Sequence, residues 1–266
     1  MSDALALPGT ACGESSAPTL RTVTDFDPTA YGASGIAETY DEMYATEWQT
    51  EPAVDRIVEL AEGGMVLEFG IGTGRLAVPL VGRGVEVHGV DGSADMVSKL
   101  RQKPGGDGIP VTIGDFAGAD AGRGFSLVVL AVNTIFALPD QHAQVDCFRN
   151  AARHLAPGGR FVIEAWVPDV GACRHNRMVR PRVTRPGMVS IETAELDQAA
   201  QTIRTTQAVF TDGSVRLFPA NHRYAWPAEL DMMAELAGMR REHRWADWDR
   251  SPFDADSRAH VTVYRL

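Results

Sequence analysis

A chain of 266 residues is long enough for one large domain or for one domain carrying an insertion, and 44% apolar residues suffice for a sizeable core. The formal charge of −10 comes with no basic stripe, which argues against a nucleic-acid backbone as partner, and the longest apolar runs, such as residues 127–132, are too short to span a bilayer. Cys12, Cys147 and Cys173 are too few and too scattered for a disulfide framework or a zinc site, so a reducing, cytoplasmic setting is expected.

The first stretch, MSDALALPGTACGESSAP, holds no basic residue and no long apolar run. It is not a secretory signal, and residues 1–30 are expected to form a flexible extension. Val54, Ile57, Val58 and Ala61 recur at helical spacing after Ser34-Gly35, so residues 31–62 are expected to form a helical cap that Gly63-Gly64 closes. A strand over 65–69 leads into a helix over 75–81, in which Pro79 predicts a kink. A second strand follows over 85–90. Ser93 can cap a helix whose Met96, Val97 and Leu100 share a face. Strands are expected over 109–113 and 125–132, the latter apolar on both faces as in a covered parallel sheet. Val145, Phe148, Ala152 and Leu155 line up on a helix over 140–155. Pro157-Gly158-Gly159 ends it, and a fifth strand runs over 160–166. Strands alternating with helices imply a parallel, doubly wound α/β core over 63–168.

After Pro168 the rhythm changes. Residues 175–226 alternate like antiparallel strands, and Asp212-Gly213 between two such runs is a strong hairpin signal. The segment 169–226 is therefore expected to be an antiparallel β insertion. It could roof a substrate pocket, form a homodimer surface or simply extend the fold. A helix over 227–237 with Gly238 as its stop, and strands over 240–245 and 260–264, complete the core in residues 227–266.

The stretch VLEFGIGTGRLAVPL (66–80) places a carboxylate and then three glycines between the first strand and the first helix. Such turns bind nucleotides in α/β sheets, because backbone amides face the ligand and a missing Cβ lets it approach. The spacing here is G-x-G-x-G, and Arg75 stands where the dinucleotide fingerprint has its third glycine. That disfavours a nicotinamide-dependent dehydrogenase. Glu68 would repel a pyrophosphate and suit a ligand carrying an ammonium group. Asp91, ending the second strand, is placed to bind ribose hydroxyls.

Together these residues resemble class I S-adenosylmethionine-dependent methyltransferases. The resemblance rests on E-F-G-I-G-T-G, on Asp91-Gly92-Ser93, on Gly114-Asp115-Phe116 and on LAPGGRFVIE (155–164). It covers residues 35–168 and the final helix and strands. Tyr40-Asp41-Glu42-Met43-Tyr44 is similar to the Y-D-x-x-Y pattern of small-molecule members from bacterial specialised metabolism. The resemblance implies a Rossmann-like, seven-stranded, doubly wound α/β sheet with the antiparallel insertion after strand 5. It also implies roles. Gly70, Gly72 and Gly74 would let the methionine part of S-adenosylmethionine lie on the loop, with Glu68 near its amino group. Asp91 and Gly92 would take the ribose, Met96 would pack beside adenine, Asp115 would accept from the adenine amine, and Phe116 would flank the ring. Tyr40, Ala131 and Asn133 would complete the cofactor site.

The function this implies is methyl transfer to a small-molecule acceptor at N, O or C, in a biosynthetic pathway. The alternative is a sensor or scaffold that keeps the cofactor site without transfer. Periodicity leaves Tyr40 and Tyr44 open between site and core, and Trp166 between core and substrate wall. If the acceptor must lose a proton, the candidate catalytic groups are His222 and Tyr44, although a strand-end histidine is also an ordinary surface residue. No metal constellation is evident, since His142 with Asp140 and Asp146 reads as a solvated helix surface.

Overall fold

In the computed structural model, which describes Ala37, Tyr40, Asp41 and residues 50–211 and 213–266, helix and strand alternate up to residue 166, except that the strand Val111–Ile113 is followed directly by the strand Phe125–Leu130. The order is α1 (Thr50–Ala61), β1 (Val66–Phe69), α2 (Ala77–Gly82), β2 (Val87–Asp91), α3 (Ala94–Arg101), β3 (Val111–Ile113), β4 (Phe125–Leu130), α4 (Gln141–His154) and β5 (Leu155–Trp166). Four further strands follow: β6 (Arg177–Arg185), β7 (Met188–Asp197), β8 (Thr202–Thr211) and β9 (Ser214–Arg223). The chain ends with α5 (Pro227–Leu236), β10 (Arg240–Trp245) and β11 (Ala259–Arg265). The expected extension over 1–30 and Tyr44 lie outside the described residues.

Seven strands form one sheet in the order β10-β11-β5-β4-β1-β2-β3. Only β11 runs against its neighbours. β1 pairs with β2 on one side and with β4 on the other, so the strand order turns back at β1. Crevices at such switch points, outside the carboxyl ends of the strands, are where open α/β sheets bind ligands. Alternate residues of the central strands feed two apolar layers. Leu67, Phe69, Val128 and Phe161 pack with α4 and α5, while Val66, Leu127 and Val129 pack with α1 and α2. β6 to β9 form a separate antiparallel sheet, and Thr211 pairs with Ser214 across a two-residue hairpin in which Gly213 has φ +80°. The expected fold class is thus the observed one. Among the described residues, no helix is long and apolar enough to cross a membrane.

Two local expectations are corrected. α2 begins at Ala77 rather than at residue 75, so Pro79 lies in its first turn and not in its interior. α4 buries Gln144, Cys147, Phe148, Asn150, Ala151 and His154, whereas Val145 and Ala152 are only half-buried. The stripe is rotated because its polar members have internal partners. Gln144 Nε2 donates to the carbonyls of Ile135 (3.1 Å) and Arg223 (2.8 Å), and Asn150 Nδ2 donates to those of Phe116 and Ala119 (both 2.9 Å). The Ala121 N–H donates to His154 Nε2 at 2.9 Å.

Gly89, in the middle of β2, lies under the glycine-rich turn. A Cβ there would stand 2.4 Å from Ile71 Cδ1 and 2.9 Å from Ile71 Cβ and Cγ2. Gly89→Ala is expected to lower the unfolding free energy by about 1–3 kcal/mol through overpacking. Chemical denaturation checks this, and an unchanged midpoint would mean that Ile71 moves aside freely.

Candidate active site

The turn after β1 is held from below: the N–H groups of Gly70 and Ile71 both donate to the Val90 carbonyl, at 2.8 and 3.2 Å. Its three glycines have φ of +70°, +54° and +81°. They are small for different reasons. A Cβ on Gly70 would stand 2.7 Å from Thr134 Cγ2, and one on Gly74 would stand 2.3 Å from Leu100 Cδ1. At Gly72 the nearest atom would be Met96 Cε, at 3.4 Å. A Cβ on Gly70 or Gly74 would thus overlap the protein itself, whereas one on Gly72 would only come into van der Waals contact with Met96. Gly70 and Gly74 make room for the protein itself.

Asp91 fixes this turn to the end of β2. Its Oδ2 accepts from the Gly72 N–H at 2.7 Å and its Oδ1 from the Ser93 N–H at 2.8 Å, next to Gly92. Each oxygen keeps a further lone pair for a hydroxyl donor. Burial raises the pKa of Asp91, and the two backbone bonds oppose that rise. Ser93 Oγ accepts from the Met96 N–H at 3.3 Å, so the residue that caps α3 also sets the position of Met96.

Glu68 lies beside the start of α2, where the Ala77 N–H donates to it. Burial pushes its carboxyl up to about 8; Arg75 opposes the rise and Asp91 adds to it. Its Oε2 has no hydrogen-bond partner among the described residues. A buried carboxyl with an unused oxygen, beside a second buried carboxylate, fits a ligand that brings a positive charge.

The other expected residues surround this centre less evenly. Asp115 is exposed, and its Oδ1 accepts from the Ala117 N–H at 2.8 Å. Phe116 stacks on Phe69 with 6.0 Å between centroids and is 9% exposed, so little more than a ring edge remains for a ligand. Ala131 is buried at the end of β4, and Asn133 Oδ1 accepts from the Trp166 N–H at 2.6 Å. Tyr40 packs against Val209 and Phe218 of the second sheet. Its neighbour Asp41 accepts from Thr73 Oγ1 at 2.6 Å and pairs with Lys103 Nζ at 2.6 Å. Thr73 and Lys103 were missed by sequence reasoning, although Thr73 sits inside the glycine motif. Tyr40 and Asp41 thus join the glycine turn to the second sheet.

His222 is on the same face of β9 as Phe218, four residues away, and opposite Ile203. It is not the surface histidine that its strand-end position also allowed. Its Nδ1 is buried with no partner among the described residues, and burial lowers its pKa, with Glu192 partly opposing.

Residues 66–159 match the family described as a methyltransferase domain. The fold superposes on the CcbJ methyltransferase of Streptomyces caelestis with a TM-score of 0.83 and 40% sequence identity, covering 91% of this chain and 99% of that one. The chain belongs to this methyltransferase family. A cypemycin N-terminal methyltransferase from a Streptomyces species is 27% identical to the methyltransferase described here over 244 residues, which is 89% of this chain and 98% of the relative. The fold is also shared with S-adenosylmethionine-bound CalS10, an amino pentose methyltransferase from Micromonospora echinaspora, at a TM-score of 0.66 and 20% identity, over 87% of this chain and 97% of that one.

The carboxyl of Glu68 gives the methyltransferase a measurable pH dependence. Its pKa is raised from 4.5 to about 8 on folding, so the folded state holds an extra proton between these values and loses stability as pH rises through them. Glu68→Gln removes that loss. Its stability gain over wild type is expected to be small at pH 5 and to reach on the order of 4 kcal/mol by pH 9. Denaturant unfolding at the two pH values checks this, and a gain independent of pH would show that Glu68 is ionised throughout.

Proposed function

We propose that this methyltransferase acts on an amine nitrogen of a small natural-product acceptor. Family membership favours methyl transfer over a sensor or scaffold role, and the methyl donor is S-adenosylmethionine, which when bound supplies a methyl group already activated on a sulfonium. The protein's task is then to hold the acceptor in line, exclude water and manage one proton. Glu68 would receive the donor's amino group, and Asp91, beside Gly92, its ribose hydroxyls. Gly72 and Met96 would line the space between, with Asp115 and the edge of Phe116 at the adenine end. Ala131, Asn133 and Tyr40 would close the site toward the acceptor, under the second sheet as a lid.

The observation that carries the amine reading is the half-buried imidazole of His222, whose Nδ1 is itself buried and has no partner among the described residues. An aliphatic amine arrives protonated at neutral pH and attacks only once neutral. Burial disfavours the charged form of the amine as it does that of the imidazole, so Nδ1 can take the proton in the closed site. The cypemycin relative, which spans nearly the whole chain, is named for a reaction at an N-terminus and supports a nitrogen acceptor. Tyr44 is the next candidate for the proton. The same reading places the enzyme in the cytoplasm, with no nucleic-acid partner. A homodimer would use the outer face of the second sheet, where Val179, Val189, Phe210, Val215 and Leu217 are exposed.

A screen of amine, hydroxyl and activated-carbon acceptors, followed by mass spectrometry of the products, tests this reading. Methylated amines are the expected outcome, and turnover confined to hydroxyl or carbon acceptors would refute it. Asp91→Asn is expected to weaken S-adenosylmethionine binding at least about tenfold by calorimetry, since one charge-assisted acceptor is lost. Unchanged affinity would remove Asp91 from the ribose site. His222→Gln should lower kcat by roughly 10²–10⁴-fold with cofactor affinity intact. Because burial lowers the imidazole's pKa, the acid limb of the wild-type pH–rate profile is expected below pH 6.5 and should vanish in the variant. A few-fold effect with the limb retained would show that the nitrogen arrives neutral and needs no base.

A further inference from the structure

Two consecutive non-glycine residues at the end of β4, Val132 and Asn133, have left-handed backbone, with φ of +50° and +62°. Asparagine tolerates this region, but a β-branched side chain crowds the neighbouring carbonyl there. Such a conformation persists only where the surroundings over-determine it, and it clusters at functional sites.

Here the surroundings are two residues of β5. Glu164 Oε2 accepts from the Val132 N–H at 3.0 Å. The Glu164 carbonyl accepts from the Asn133 N–H at 3.0 Å, and the Trp166 N–H donates to Asn133 Oδ1 at 2.6 Å. The bond to Val132 is the one that depends on the identity of the side chain at 164. The turn it holds presents Thr134 to the glycine turn: a Cβ on Gly70 would stand 2.7 Å from Thr134 Cγ2, and Thr134 Oγ1 donates back to the Ala131 carbonyl at 2.7 Å. The loops that leave β1 and β4 therefore meet at the switch point of the sheet, and the left-handed pair sets how they meet.

We propose that Glu164 is a positioning residue for methyl transfer, whose carboxylate holds Val132 and Asn133 left-handed and so fixes the acceptor-side wall of the crevice. The inference rests on the methyl-transfer reading for its kinetic consequence and on backbone geometry alone for the clamp. Without the carboxylate the turn relaxes toward conformations that valine prefers, and the wall loosens while the cofactor turn, held by Asp91, keeps its shape.

Three variants test this: Glu164→Ala, Glu164→Gln and the double variant Glu164→Ala/Val132→Gly, each first checked for an unaltered melting transition. Glu164→Ala is expected to lower kcat about tenfold, equivalent to about 1.4 kcal/mol, with S-adenosylmethionine affinity by calorimetry unchanged. Amide exchange over residues 131–136 of the cofactor-free protein should quicken by a similar factor. Glu164→Gln keeps an acceptor oxygen for the Val132 N–H and should stay near wild type. Glycine at 132 adopts positive φ without steric cost, so the double variant should recover most of the lost kcat. Wild-type kcat and exchange in Glu164→Ala would overturn the clamp, as would failure of glycine to rescue or a glutamine variant as impaired as alanine. Amide exchange reads the clamp without any acceptor, so its failure is distinguishable from failure of the methyl-transfer reading.

Discussion

The carboxylate of Asp91 is the tie on which the rest of the site depends. One oxygen holds the Gly72 N–H of the turn after β1, and the other holds the Ser93 N–H that opens α3. A single side chain at the end of β2 thereby fixes the open face of the glycine turn and, through Ser93 and its bond to Met96, the opposite wall. Backbone N–H groups at such places would otherwise need water or a ligand. Satisfying them with a buried carboxylate costs desolvation, which is why the pKa of Asp91 rises despite two good hydrogen bonds.

Glu68 adds a second acid to the same enclosure, and the charge of Asp91 adds to the cost of ionising it. An apolar replacement of Glu68 would pack at less electrostatic cost, whereas one of Asp91 would leave the Gly72 and Ser93 N–H groups without their acceptor. That both positions are acidic makes sense if the enclosure is completed by a cation, whose charge favours the ionised form of Glu68 that burial otherwise disfavours. Asp41 extends the arrangement outward. Asp41 bonds Thr73 and Lys103 while Tyr40 packs on Val209 and Phe218, so these two neighbours couple the glycine turn to the second sheet.

The sheet was legible in the sequence because period and punctuation agree: short apolar runs, capped helices and glycine stops recur in step from Val66 to Trp166. The burial of Glu68 and Asp91 beside the glycine turn was legible because carboxylates, costly in a core, fall at or near the ends of two apolar strands. The division of labour among the glycines was not, since Thr134 and Leu100 are distant in sequence and only the packed fold brings them to Gly70 and Gly74. The buried stripe of α4 was misjudged for a similar reason. Gln144, Asn150 and His154 look solvent-facing until the carbonyls and the N–H that pair with them are in place. The left-handed Val132 carries no sequence signal at all, because valine is among the residues least suited to it and the restraint comes from β5.

The second sheet meets the core at one end, and that end lies next to His222. Arg223 is buried and donates to Gln144 Oε1 at 2.6 Å, to Gln201 Oε1 at 3.1 Å and to Glu229 Oε1 at 2.6 Å, joining β9 to α4 and α5. Burial works against the Glu229 charge, yet the bonds from Gln201 and Arg223 hold its carboxyl below the ordinary range, so the pair stays ionised and oriented at neutral pH. Phe136, Trp166 and Tyr224 form a run of ring contacts at 4.7 and 6.3 Å that links the β4 turn and the end of β5 to the residue after β9. The imidazole one residue before Arg223 therefore takes its position from the core, together with the turn that Glu164 holds. The hairpin at 211–214 lies at the opposite end of β9, about ten residues and roughly 30 Å along the strand. The ion pair and the aromatic run thus tie His222 to the core at the end of the sheet away from the hairpin, so the proposed lid and the proposed base are compatible in one four-stranded sheet.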